Sequence, residues 1–131
     1  MATQPAFAAT VKAWAVTTPA SADTSLTAPS TVATLLSAGA SGSKVEQVRL
    51  TPVATTASTY IVNLFLYDGS TYHLFDFFTV AAQTLSTTAE TVPADKYYTN
   101  LVLPNGWSVR ATVTVGTVAS AFKLTAFGGD F

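Results

Sequence analysis

Between Trp107 and Val115 apolar and polar residues alternate without a break. Trp107, Val109, Ala111, Val113 and Val115 point one way; Ser108, Arg110, Thr112 and Thr114 point the other. A period of two is the signature of a β-strand, and this one reads as half-buried, with one face on a core and one polar face. Pro104 and Asn105-Gly106 ahead of it supply a tight turn. On this reading Trp107 is a core residue, and Trp107→Ala costs on the order of 3–5 kcal/mol.

A second pattern is apolar on both faces. Tyr60 to Tyr67 and Thr71 to Val80 form a β-hairpin around Asp68-Gly69-Ser70, a strong turn signal. Tyr60, Val62, Leu64 and Leu66 share one side of the first strand. Ile61, Phe65 and Tyr67 share the other with Asn63. In the return strand Tyr72, Leu74, Phe78 and Val80 oppose His73, Phe75 and Phe77. Such a hairpin lies either centrally in a sandwich with a covered exterior or at an interface.

Weaker strands are expected at Thr10 to Thr17, Thr31 to Ser37, Lys44 to Pro52, Tyr97 to Leu103 and Ala119 to Phe127. Gly39-Ala40-Ser41-Gly42-Ser43 reads as a turn and Thr17 to Ser30 as a loop. Ala81 to Ala94 is ambiguous, with a strand near Thr84 to Thr91 and a loop ending at Pro93. Helical periodicity and internal repeats are absent. About eight antiparallel strands therefore point to one all-β domain, a β-sandwich of jelly-roll type. Residues 1–30, rich in Thr, Ala, Ser and Pro, form either a strand with a long loop of the same sandwich or an arm ordered by a neighbour. Residues 31–131 form the sandwich proper.

Composition narrows the function. Hydrophobic residues make up 49% of the 131, but charged ones only 10%, against roughly 25% in an average soluble domain. A surface poor in charge is cheap to desolvate and suits contact with neighbours; it equally suits a Thr-rich β surface facing water. The net charge is −1, and Lys12, Lys44, Arg49, Lys96, Arg110 and Lys123 are scattered singly. No basic cluster offers phosphates a footing, so a nucleic-acid partner is not expected. The chain has no cysteine, which rules out disulfides and thiolate chemistry. It shows no secretory leader, no N-glycosylation sequon and no apolar run of about 18 residues, so no membrane partner is expected.

Candidate chemistry is sparse. His73 is the single histidine and projects opposite Asp76, so the two form no local dyad. The carboxylates are Asp23, Glu46, Asp68, Asp76, Glu90, Asp95 and Asp130, and no pair is singled out as the facing carboxylates of a glycosidase. Asp68 belongs to its turn, Asp95 to a loop and Glu46 to a solvated strand end. No metal constellation and no cofactor site is visible. Gly128-Gly129 reads as a kink redirecting Asp130 and Phe131, whose ring either folds back or docks on a neighbour. Tyr97-Tyr98 must send one ring out of the core, which leaves a glycan platform open. No catalytic residue emerges, and the chain is expected not to be an enzyme.

Three runs carry a family likeness. They are Ala33 to Glu46 (ATLLSAGASGSKVE), Leu64 to Tyr72 (LFLYDGSTY) and Leu101 to Ala111 (LVLPNGWSVRA), completed by the ending Thr125 to Phe131 (TAFGGDF). Together they resemble small structural proteins of tailed bacteriophages, over roughly Thr31 to the C-terminus. The motifs are turn and strand signatures, so no functional residue carries over. The resemblance implies a capsid decoration or cement protein, typically a homotrimer, on the capsid surface of the virion. Its partner is then the major capsid protein or another virion protein. A tail, neck or fibre component is the runner-up. The residues expected at the interface are Phe65, Tyr67, Tyr72, Phe75, Phe77, Tyr97, Tyr98 and Phe131.

Overall fold

A computed structural model describes residues 9–86, 88, 93–116 and 118–131. Among these residues eight strands follow one another: β1 (Thr10–Thr17), β2 (Ala33–Ser37), β3 (Ser43–Pro52), β4 (Tyr60–Tyr67), β5 (Tyr72–Val80), β6 (Ala94–Leu103), β7 (Ser108–Val113) and β8 (Phe122–Asp130). They form two four-stranded sheets, ordered β1-β8-β3-β6 and β2-β7-β4-β5. Every pairing is antiparallel, and β1 with β8, β2 with β7, β3 with β6 and β4 with β5 are nested one inside the next. The all-β sandwich expected from the alternation is the fold observed.

The inner faces share one core. Leu35, Leu36, Tyr60, Val62, Leu64, Phe78, Val109, Ala111 and Val113 come from the second sheet. Val45, Val48, Leu50, Leu103, Phe122, Leu124 and Ala126 meet them from the first. Burying these side chains supplies the main driving force, roughly 1.5–3 kcal/mol for each large one. At its centre the Tyr60 and Phe122 rings meet edge to face, 5.2 Å between centroids.

Turn chemistry holds where it was legible. Gly69 has φ near +100°, the left-handed conformation a tight turn between β4 and β5 requires. The Asp68 carboxylate accepts the backbone N–H groups of Ser70 and Thr71. Ahead of β7, the Trp107 N–H donates to the Pro104 carbonyl and closes the Asn105-Gly106 turn.

Bulges change the parity that simple alternation implies. On β2 the extra residue is Leu35, which puts both Leu35 and Leu36 inside. On β5 it falls at Phe75, between the pairs Phe65–Leu74 and Leu64–Asp76. Tyr72, Leu74 and Phe77 therefore lie on the outer face, and Asp76, Phe78 and Val80 turn toward the other sheet. His73 and Asp76 consequently share a face, contrary to the expected opposition, but each binds a different partner.

Other expectations need correction. Trp107 packs against the core, as its place in the alternation implied, but it precedes β7 and is only half-buried, stacked on His73 at 6.1 Å. Trp107→Ala is accordingly expected to cost about 1–3 kcal/mol rather than to unfold the domain; urea denaturation followed by fluorescence of the remaining Trp14 measures it. The last strand starts later than expected and runs straight through Gly128-Gly129, so there is no kink. Asp95 sits in β6, not in a loop. Residues 84–86 are not in a strand, although Gln83 bridges to Thr56. Residues 87 and 89–91 of that expected strand, Glu90 with them, lie outside the described residues, as do residues 1–8 of the expected arm.

The polar face of β7 is less open than its sequence implies. Ser108 and Thr112 are buried: β7 lies between β2 and β4, Arg110 bonds Ser108, and the connection from β1 to β2 is fastened to the strand's far end. The Asp23 N–H donates to the Val113 carbonyl. The Asp23 carboxylate then accepts the N–H groups of Ser25, Ser30 and Thr31, folding the connection around itself.

Candidate functional site

Of the residues expected at an interface, Phe65 is enclosed by its own chain and needs no partner to cover it. Its ring meets Tyr72 edge to face at 5.9 Å. Tyr67 and Tyr72 pack 4.4 Å apart, and the Arg110 guanidinium lies 4.0 Å from the Tyr67 centroid. Arg110 donates to the Tyr72 hydroxyl and to Ser108 Oγ. The cation stacks and hydrogen-bonds within one cluster, leaving little for a ligand to add.

Phe75 and Tyr98 close the gap between the edge strands β5 and β6. Their rings are 5.9 Å apart, and the Tyr98 hydroxyl donates to Asp76 Oδ2 at 2.8 Å, joining the two sheets. Burial pushes the Tyr98 phenol far above its ordinary range, and the bond to Asp76 pushes the same way. Lys96 approaches Asp76 at 3.6 Å. Phe131 folds back on its own chain, its N–H donating to the Gly42 carbonyl. That leaves Phe77, 52% exposed, and Tyr97, 72% exposed, as the open members of the set. As alternation required, one tyrosine of Tyr97-Tyr98 faces out and the other in.

Tyr97 belongs to a larger surface that single-strand reading missed. Pairing places Ala13, Phe127, Gln47 and Tyr97 in one row across the outer face of the first sheet. Val11, Gly129, Lys44 and Val102 form the next row, and Ala15, Thr125, Arg49 and Asp95 the row on the other side. Val11, Val102, Tyr97 and Phe127 are all exposed. Arg49 is held by Asp95 in a two-point contact at 2.7 and 3.1 Å, and Lys44 lies 3.4 Å from Glu46. The face is therefore mixed, with exposed apolar side chains standing beside charges that are largely matched in place. Alternation within each strand was legible, but the row exists only once β8 is seen between β1 and β3.

Most titratable groups among the described residues are engaged in structural bonds. His73 Nε2 lies 3.0 Å from Asp68 Oδ2, and that bond, with the Thr71 and Ser70 N–H groups, holds the Asp68 carboxyl well below the usual carboxylate range. Lys12 and Ser43 do the same for Asp130, Arg49 for Asp95, and the backbone N–H groups of Thr31, Ser25 and Ser30 for Asp23. Among the described residues no group of three or more His, Cys, Asp or Glu is placed to hold a metal ion.

These shifts set the acid response. Each carboxyl binds protons more weakly folded than unfolded, so its contribution is present above the unfolded value near 3.8 and is lost as pH falls through the lower folded value. The urea midpoint is expected to be flat from pH 7 to about 5 and to decline below about 4. A midpoint unchanged down to pH 2.5 would contradict these contacts.

Comparison with known protein families, curated proteins and solved structures finds no match to this chain.

Proposed function

We propose that the chain is a non-enzymatic virion structural protein, specifically a capsid decoration or cement protein that binds the head surface and stabilises neighbouring capsomers. The nested strand order reads as a jelly roll, an architecture suited to presenting one broad sheet face to a neighbour. The observation that carries the proposal is the outer face of the first sheet, where Val11, Val102, Tyr97 and Phe127 stand exposed beside locally matched charges. Covering such a face buries apolar area without stranding an ion, which favours a persistent contact. The resemblance to tailed-phage structural proteins supplies the setting, with the major capsid protein or another virion protein as partner and a homotrimer as the assembly state.

Light scattering of the purified chain and co-sedimentation with expanded phage heads test this together. The expected result is a trimer that binds heads, with binding weakened at least about tenfold by Phe127→Lys. A strictly monomeric chain that ignores expanded heads would sink the proposal. A tail, neck or fibre position is distinguished by where the chain appears in an electron-microscopy map of the particle. The exposure of Tyr97 supports a second reading, a glycan-binding module. Its test is a glycan array in which any signal should disappear with Tyr97→Ala.

A further inference from the structure

Beside the Arg110 cluster, the outer face of the second sheet holds an open groove of about 340 Å³ lined by Thr24, Leu26, Ile61, Asn63, Leu74, Phe77 and Thr114. No ionisable side chain is among them. Leu26, Ile61, Leu74 and Phe77 are exposed there, although the rest of β4 is largely buried. The connection from β1 to β2 forms one wall through Thr24 and Leu26, held in place by the Asp23 bonds described above.

Asn63 breaks the apolar pattern. It lies on β4 between Phe77 on one side and Thr112 on the other, and only 4% of its surface is exposed. Its Nδ2 amide nitrogen, a donor, has no hydrogen-bond partner among the described residues, and neither has Thr112 Oγ1 next to it. A buried donor left unpaired is costly, and native interiors rarely retain one without a use. Here it lies just beneath a concave apolar space that Asn63 helps to line, large enough for a ligand, since small-molecule sites begin at roughly 300 Å³.

We infer that this groove is a binding site for a compact, neutral, largely apolar molecule bearing one hydrogen-bond acceptor oxygen, which the Asn63 amide meets at the floor by a small turn of its side chain toward the groove. The walls take one aromatic ring or a short branched acyl chain. The lack of a lining charge disfavours an ionised ligand, whose desolvation nothing there would offset. The site is independent of the virion reading, because it lies on the opposite sheet from the proposed assembly face.

Acetophenone and ethylbenzene serve as probes, matched in shape but differing in the carbonyl oxygen. Each is titrated into the full-length chain and followed by ¹H–¹⁵N NMR, including the Asn63 side-chain amide. Acetophenone is expected to shift that amide saturably and to bind about tenfold more tightly than ethylbenzene, the value of one hydrogen bond to an otherwise unpaired donor. Asn63→Leu should erase the preference while retaining ethylbenzene binding. Leu74→Trp, a change at the exposed rim, should block both probes without disturbing the fold. Equal affinities for the two probes in the native chain, or no saturable shift at Asn63, would overturn the inference. Should Asn63→Leu fail to fold, the native-chain comparison and Leu74→Trp still decide it.

Discussion

Gly128→Ala is expected to be the most damaging single methyl added to this protein. A Cβ at Gly128 would overlap the Lys44 carbonyl oxygen and lie 2.9 Å from its carbon and 3.1 Å from Val45 Cα. All three are backbone atoms, so no rotamer change relieves the clash. The cause is a bulge: β3 carries Glu46 as an extra residue between Val45, opposite Gly128, and Gln47, opposite Phe127. That irregularity brings the β3 backbone onto β8 where only hydrogen fits. Relief requires separating β3 from β8, the central pair of the first sheet, and disturbing fully buried Val45. A loss of about 3 kcal/mol or more follows, at or beyond the upper end of ordinary overpacking. Equilibrium urea denaturation reads it directly, and a midpoint equal to the parent's would show that the strands do not approach this closely.

Phe122→Ala should rank beside it through the opposite defect, a void. Phe122 is fully buried, meets Tyr60 edge to face, and opens β8 opposite Pro52. Its backbone is also pinned, since the Thr18 N–H and hydroxyl donate to its carbonyl and its own N–H donates to Thr18 Oγ1. Those bonds hold the strand in place, so the site cannot collapse to fill the space. The expected loss is about 3–5 kcal/mol, with Phe122→Leu costing clearly less. This is the magnitude first assigned to Trp107, whose partial exposure lowers its share. A loss below about 1 kcal/mol for Phe122→Ala would mean that the core does repack there.

The acid response and these two substitutions probe different parts of the molecule. Gly128 and Phe122 report on the packing of β8 against its neighbours and the core. The carboxylates report on polar fastenings at the periphery: Asp23 in the connection from β1 to β2, Asp68 in the β4–β5 turn, Asp95 across β3 and β6, and Asp130 at the end of β8. Each fastening lies within a turn or joins neighbouring segments, and together they explain how a chain with few charges spends most of them on its own architecture.

Much of this was determined along the chain. Alternation over Trp107 to Val115 and Tyr60 to Val80, with Asp68-Gly69 and Asn105-Gly106 between strands, is enough to specify antiparallel β-structure. Period and turn chemistry act over a few residues and do not depend on what packs against them. The interface residues were less legible. Phe65 and Tyr67 looked like surplus apolar surface, yet the same sheet supplies Tyr72 and Arg110 to enclose or engage them. Asn63 carried a weak signal, a lone amide in an apolar strand face, but its lack of a partner depends on what β5, β7 and the β1–β2 connection place around it. Bulges at Leu35, Glu46 and Phe75 were invisible because each is a matter of register between strands, distant in sequence at Leu35 and Glu46 and within one hairpin at Phe75, and a single inserted residue reverses every face beyond it. The row Ala13, Phe127, Gln47 and Tyr97 was hidden for the same reason: its members come from four strands, and only nested pairing makes them neighbours. Local sequence thus determined the strands and their turns. Tertiary pairing alone decided which apolar side chains are core, which are covered by their own chain, and which are left for a partner.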